Sequence, residues 1–287
     1  MKIELQNISK HFGSTIALDQ INLTLKENRI YGLLGNNGAG KSTLLNIITN
    51  RIYPTEGQVL ADGESIFEND RALGNIFLMG EQNYYPEDMR VNKAFQAAEI
   101  FYPHFDMPKA LELSRQFGLN TKKKISNLST GYASIFRLVL ALSVNTPILL
   151  LDEPVLGLDA QHRDLFYRLL LEKYAESPCT ILLSTHIIQE AANLLEHVLI
   201  LHNGRLLKDM PVEELLRGAY TVSGPAVLVD QYLLGKEALS VQSLGGLKSA
   251  TLQQGNGLPR PVEGLQFAPA TLQDYFISLM REEEESC

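Results

Sequence analysis

Residues 35–42 read G-N-N-G-A-G-K-S and follow a short apolar stretch, Ile30-Tyr31-Gly32-Leu33-Leu34. The chemistry these types allow is anion binding. Glycines let backbone N–H groups close on phosphate oxygens with no Cβ in the way. The segment from Lys41 (K-S-T-L-L-N-I-I-T) has helical character and would turn its positive N-terminal end to the anion. Gly35, Asn36, Asn37, Gly38, Ala39 and Gly40 would form the cradle, and Thr43 would close the first turn. Lys41 would reach the β- and γ-phosphates of a nucleotide, and the Ser42 hydroxyl would ligate Mg²⁺. A glycine-rich turn that binds nothing is the plain alternative. Against it stand a match at every fixed position and the strand-before, helix-after context.

A second group of residues supplies what a phosphoryl-transfer site needs besides the cradle. Ile148-Leu149-Leu150-Leu151 is an apolar strand candidate ending in Asp152-Glu153. Asp152 is placed to sit near Mg²⁺. Glu153 is the candidate general base for the attacking water. The bland alternative is that both acids only end a strand at the surface. Thr185-His186 follows another apolar run, Ile181-Leu182-Leu183, so His186 stands where a strand-end histidine could bond a γ-phosphate. By itself such a histidine would more often be passive, and the other five carry only that reading.

These residues need a sheet to hold them. Ile3, Leu5 and Ile8 before Gly13, and Ile16, Leu18, Ile21, Leu23 and Leu25 after it, read as antiparallel strands. Val59–Ala61 before Asp62-Gly63 reads as a hairpin piece. From Asn92 to Leu119 the spacing becomes helical. Residues 148–151 and 180–184 suit central parallel strands, with helical stretches at 159–174 and 188–195. Alternating strand and helix argues an α/β doubly wound sheet. After Met210-Pro211 glycines become frequent and apolar runs shorten. A small β-rich unit with a final helix near 271–280 is expected there, a flexible tail being the alternative.

Bulk properties narrow the class. The chain has 287 residues, 45% hydrophobic content and a net charge of −8, so a general nucleic-acid surface is disfavoured. Part of that acidity is the run Glu282–Glu285, expected to be a solvated tail. Two cysteines, Cys179 and Cys287, suggest neither a disulfide framework nor a zinc site, and a reducing, cytoplasmic setting is expected. The first residues show no signal-peptide pattern. The most apolar region, 135–151, is interrupted by Arg137, Asn145, Thr146 and Pro147, which fits a helix followed by a buried strand better than a membrane crossing.

Taken in order, the segments resemble the nucleotide-binding subunits of ATP-binding cassette (ABC) transporters over nearly all of residues 1–210. The family-specific evidence is Leu128-Ser129-Thr130-Gly131-Tyr132, standing where the family carries its L-S-G-G-Q signature. It differs at Thr130, for glycine, and at Tyr132, for glutamine. The Ser129 hydroxyl and the Gly131 N–H remain. Gly157-Leu158-Asp159 resembles the D-loop, and His186 the switch histidine. Phe12 falls where the family stacks an aromatic ring on adenine, although a core phenylalanine is an equal reading. Met79-Gly80-Glu81-Gln82-Asn83 occupies the Q-loop position. Its register leaves Glu81 or Gln82 as the Mg²⁺ and water contact, Glu81 being slightly preferred.

The resemblance implies a P-loop NTPase core with a mostly parallel sheet, an N-terminal antiparallel β subdomain, a helical insert at about 84–145 and a C-terminal accessory domain. The cassette would span 1–212 and the accessory domain 213–287. It also implies ATP and Mg²⁺ as cofactors, and hydrolysis coupled to transport through an integral-membrane subunit at the cytoplasmic face of the membrane. The second partner would be another cassette, identical or related, joined head to tail so that Lys41 of one chain and Ser129 of the other sandwich ATP. The run L-S-T-G-Y-x-S-I-F-R is similar to bacterial exporter ATPases for antimicrobial or amphipathic peptides, including phenol-soluble modulins. Two alternatives remain: a soluble cassette acting on ribosomes or DNA, and a non-catalytic ATP sensor.

Overall fold

The computed structural model describes residues 1–80, 82, 84–86, 88–254 and 258–283, with the backbone of 284 and 285. The chain runs through β1 (Ile3–Phe12), β2 (Thr15–Leu25), β3 (Ile30–Leu34), α1 (Lys41–Ile48), β4 (Glu56–Ala61), β5 (Glu64–Ser65), α2 (Asp70–Leu73) and β6 (Ile76–Met79). Then follow α3 (Val91–Phe101), α4 (Met107–Gln116), α5 (Thr130–Ser143), β7 (Ile148–Asp152), α6 (Ala160–Glu176), β8 (Thr180–Ser184), α7 (Ile188–Ala191), β9 (His197–His202) and β10 (Arg205–Pro211). The remainder holds α8 (Val212–Leu215), β11 (Ala219–Pro225), α9 (Ala226–Leu233), β12 (Ser240–Leu244), β13 (Leu247–Gln253), β14 (Gln266–Pro269) and α10 (Leu272–Glu285). Two compact units result. One is Met1–His186 with Leu194–Asp209, and the other is Ile187–Asn193 with the chain from Met210 on.

In the first unit a six-stranded sheet has the order β10-β9-β3-β8-β7-β6. Its pairs β3–β8, β3–β9, β7–β8 and β6–β7 are parallel. Every residue of β3, β7 and β8 is buried, which is why these strands read as unbroken apolar runs rather than alternations. A four-stranded antiparallel sheet, β2-β1-β4-β5, joins the same apolar core through Ile3, Leu5, Leu23 and Val59. The β4–β5 turn is Asp62-Gly63, both at positive φ (51° and 87°), as a two-residue hairpin requires. The apolar stretch 135–151 divides into eight buried residues of α5 and the buried strand β7. Among the described residues no helix is long and apolar enough to cross a membrane.

The helical stretch expected over 92–119 is two helices. Pro103 holds Tyr102 extended (φ −120°, ψ 99°) and ends α3. Asp106 then caps α4, its carboxylate accepting the Lys109 N–H at 2.8 Å. The stretch 188–195 is only the four-residue α7 and a 3₁₀ turn, Ala192–Leu194.

The second unit is β-rich. Its antiparallel sheet, β12-β13-β11-β14, carries α9 against a core of Tyr220, Val222, Val229, Ala250 and Leu252. The final helix runs past the expected Met280 to Glu285, so the acidic run begins on a helix and is not a separate tail. Thr271 and Asp274 start it with reciprocal backbone and side-chain bonds of 3.0 and 3.1 Å.

Candidate nucleotide site

The loop after β3 turns the chain into α1 with no side-chain cap on the helix. The first-turn N–H groups at Lys41, Ser42 and Thr43 are therefore left for an external acceptor. Gly40 makes the turn at φ 106°, and a Cβ there would stand 2.5 Å from the Ala17 carbonyl oxygen, so only glycine fits. Asn36, Asn37, Gly38 and Ser42 are exposed along this turn, while Gly35 and Ala39 are buried beneath it. Lys41 is 7% exposed. Its ammonium donates to the Gly35 carbonyl at 2.7 Å and the Asn36 carbonyl at 3.3 Å. Burial pushes its pKa down, and the charges of Glu153 and then Asp152 pull it partly back.

Parallel register brings the acidic pair to the same end of the sheet. Asp152 pairs with Ser184, which stands one strand from Leu33. Glu153 then leaves the strand at φ 46°, a left-handed conformation costly for a side-chain-bearing residue, held by its N–H on the Ser184 carbonyl at 2.9 Å. Its carboxylate lies between two partners. Oε2 is 2.8 Å from His186 Nδ1, and Oε1 is 3.9 Å from the Lys41 ammonium. The His186 N–H points at the same Oε2 from 3.4 Å. Glu153 Oε1 and Asp152 Oδ1 are buried and take no hydrogen bond from the described residues. Two carboxylates face one ammonium, so the cluster carries excess negative charge that a cation would balance.

A cavity of about 620 Å³ opens beside this cluster, with Ser42, Asp152, Gly80 and Gln82 in its wall. Hydroxyl, carboxylate and amide oxygens are the donors Mg²⁺ prefers. No group of three or more His, Cys, Asp or Glu that could cage a metal occurs among the described residues. The set thus fits a Mg²⁺ whose shell phosphate oxygens and water complete. Arg51 and Tyr84, which sequence reading missed, line the same cavity. The Arg51 guanidinium lies 4.6 Å from the Tyr84 ring centroid, and the Tyr84 hydroxyl donates to Gln82 Oε1 at 3.2 Å. An arginine beside a tyrosine 33 positions away has no periodic signal in a sequence.

A second helix start, that of α5, is built differently. Ser129 is its N-cap, and Ser129 Oγ accepts the Tyr132 N–H at 3.4 Å. Gly131 passes so close to the 157 turn that a Cβ on it would be 3.2 Å from the Gly157 carbonyl oxygen.

A family model described as ABC transporter matches residues 18–156. The ABC transporter ATP-binding protein YtrB of Bacillus subtilis (strain 168) is 32% identical over 213 residues, covering 74% of this chain and 73% of the relative. The chain belongs to the ATP-binding subunits of the ABC transporter family. The bacitracin transport ATP-binding protein BcrA of Bacillus licheniformis is 33% identical over 221 residues, 74% of this chain and 71% of the relative. Among solved structures, a dimeric post-hydrolysis state of the ATP-binding cassette MJ0796 bound to ADP and Pi is 26% identical and superposes with a TM-score of 0.65. It covers 73% of this chain and 98% of its own. The fold is the P-loop NTPase cassette, with its mostly parallel sheet and N-terminal antiparallel sheet.

Of the remaining residues marked by resemblance to ABC cassettes, Phe12, Asp159 and Gln82 are exposed. Phe12, at the end of β1, is 49% exposed, which removes the core reading; Lys10 stands 5.0 Å from its ring centroid. Asp159 caps α6, its carboxylate accepting the His162 N–H at 2.9 Å with His162 Nδ1 also at 2.9 Å. The backbone bond from His162, then that ring, hold its pKa below the ordinary aspartate value. Of the two Q-loop candidates, Gln82 reaches the cavity wall, and Glu81 lies outside the described residues.

Proposed function

We propose that this chain hydrolyses ATP to power export through a separate membrane subunit, with amphipathic or antimicrobial peptides as cargo. The observation that carries hydrolysis is Glu153. A carboxylate held at positive φ, braced by His186 on one oxygen and left without a hydrogen bond on the other, is the candidate to take a proton from water. Phe12 stacks on the adenine, and residues 35–40 with the α1 N–H groups cradle the phosphates. Lys41 moves its ammonium from the loop carbonyls to the β- and γ-phosphate oxygens. Ser42 and Asp152, with Gln82 or Glu81, hold Mg²⁺. That ion, when bound, neutralises charge on the β- and γ-oxygens. Water oxygen attacks the γ-phosphorus as Glu153 takes its proton, the bond to the β-phosphate oxygen breaks, and ADP and phosphate leave. His186 Nδ1 steadies Glu153, which leaves its other ring nitrogen to face the γ-phosphate.

Ser129 and Gly131 would bind the γ-phosphate held by a second cassette, with Asp159 at the same seam, in a head-to-tail dimer at the cytoplasmic face of the membrane. The cargo reading is supported by the Leu128–Arg137 run and by the similarity to the bacitracin transport ATP-binding protein BcrA. The cassette is assigned to 1–212 and the accessory domain to 213–287. Thr130 and Tyr132 favour a second reading, a nucleotide sensor that binds without turnover.

The test uses the full chain co-purified with whatever membrane protein it retains. Mg²⁺-dependent hydrolysis should fall about a thousandfold in Glu153→Gln with ATP affinity retained. A Glu153→Gln protein that turns over normally removes the base assignment. A wild-type complex that binds ATP and never hydrolyses it establishes the sensor. Hydrolysis that amphipathic peptides fail to stimulate removes the cargo.

A further inference from the structure

The run from Leu128 to Arg137 contains two side chains that the proposed chemistry leaves unused, Ser134 and Arg137. With Thr130 they stand at i, i+4 and i+7 of α5, one stripe of a helix whose other residues from Ile135 on are almost all buried and apolar. Each member of the stripe meets a different part of the site. Thr130 Cγ2 and Ser134 Oγ lie 3.8 and 4.0 Å from where a Cβ on Gly157 would stand. Ser134 Oγ donates to the Leu156 carbonyl at 3.1 Å, and the Leu156 N–H returns to the Glu153 carbonyl at 3.1 Å. Arg137 donates from Nη2 to Ser134 Oγ at 2.9 Å and from Nη1 to the Gly80 carbonyl at 3.3 Å. Gly80 is two residues from Gln82 and shares its cavity wall.

From these contacts we infer that Arg137, acting with Ser134, is a positioning residue that locks three segments in one register: the 80–82 segment at the cavity, the helix that begins at Ser129, and the turn from Glu153 to Asp159. The guanidinium suits the task because its planar fork reaches two acceptors at once, the Ser134 hydroxyl on α5 itself and the Gly80 carbonyl after β6. A displacement of the 80–82 segment is thereby passed to Ser134 and, through Leu156, to the backbone of Glu153. The hydrogen bonds of the lock are made by Ser134 and Arg137, which lie beyond the signature segment 128–132.

The inference rests on the reading that the chain hydrolyses ATP, and the experiment separates the two. ATP affinity, kcat and KM are measured for wild type, Arg137→Gln, Arg137→Lys, Gln82→Ala and Arg137→Gln/Gln82→Ala. Hydrogen exchange is followed in peptides covering 76–86 and 153–160. Arg137→Gln should lower kcat about tenfold with ATP affinity unchanged, and should speed exchange in both peptides together. Arg137→Lys, which holds one acceptor at a time, should recover part of the rate. The double variant should lose no more than the larger single one, because both act on one linkage. A wild-type protein without hydrolysis overturns the catalytic reading and this inference with it. Hydrolysis with additive losses, or faster exchange in only one of the two peptides, overturns the inference alone.

Discussion

Two helix starts in this chain carry glycine and small polar residues, and they are finished in opposite ways. At α1 the N-cap is Gly40 with no side-chain cap, the loop is tied down, and a buried lysine stands beside the buried Asp152 and the half-buried Glu153. At α5 the N-cap is Ser129, whose hydroxyl takes the Tyr132 N–H of the first turn, and Ser129, Thr130 and Tyr132 are exposed. The first is a site needing a ligand to complete its hydrogen bonds and charge. The second has one first-turn N–H capped by its own serine and no buried charge beside it, so it needs less from a ligand. The difference teaches that one chain holds one full half and one presented half, which is the logic of a pair of subunits closing on a shared nucleotide.

The comparison breaks most readily at α1. Lys41→Ala should weaken Mg²⁺-ATP binding about a hundredfold by isothermal titration, the loss expected for a charge-assisted phosphate contact. Unchanged affinity would mean that the loop is only a turn. At α5, Ser129→Ala should leave the affinity of a single chain for ATP untouched and lower hydrolysis about tenfold. ATP-dependent dimerisation in sedimentation should weaken in parallel. The lost cap should also cost about 1 kcal/mol of stability, readable by thermal melting. Equal loss of single-chain affinity in Ser129→Ala would erase the distinction between the two helix starts.

A smaller effect is pH-dependent. Burial lowers the Lys41 pKa, so its charge disappears at a lower pH than that of an exposed lysine. ATP affinity should fall several-fold as pH rises through that lowered value, and Lys41→Arg should not show the fall. Stability runs the other way. Between the folded and unfolded pKa values the unfolded chain binds the extra proton, so the ligand-free protein gains stability as pH rises. Chemical denaturation with and without ATP at two pH values reads both signs. The smallest change is expected at the rim: Phe12→Ala should cost about threefold in ATP affinity and less for the triphosphate alone.

Much of the fold was legible because the strands that matter are buried on both faces. The strands β3, β7 and β8 announce themselves as apolar runs, and Leu33, Asp152 and Ser184 fall in register at their C-terminal ends. The short strand β6 and the edge of the sheet were not legible, since four residues bounded by loops carry no period. Pro103 divides a stretch whose apolar spacing alone looked continuous. Phe12 was undecidable from its neighbours, and its exposure settles it. Arg137 looked like an interruption of an apolar run, and helical spacing joins it to Ser134 but no spacing rule joins it to Gly80.

By itself the sequence determined the cradle, its lysine, the acidic pair and the parallel sheet beneath them, because local backbone freedom and strand burial are written in neighbouring residue types. Only the tertiary structure decided which oxygen of Glu153 is braced by His186 and which is left without a hydrogen bond. It alone decided that Gln82 is held by Tyr84, and that Arg137 on α5 reaches the Gly80 carbonyl after β6. Those facts depend on side chains converging from strands and helices far apart in the chain, and convergence is a property of packing that no single segment contains.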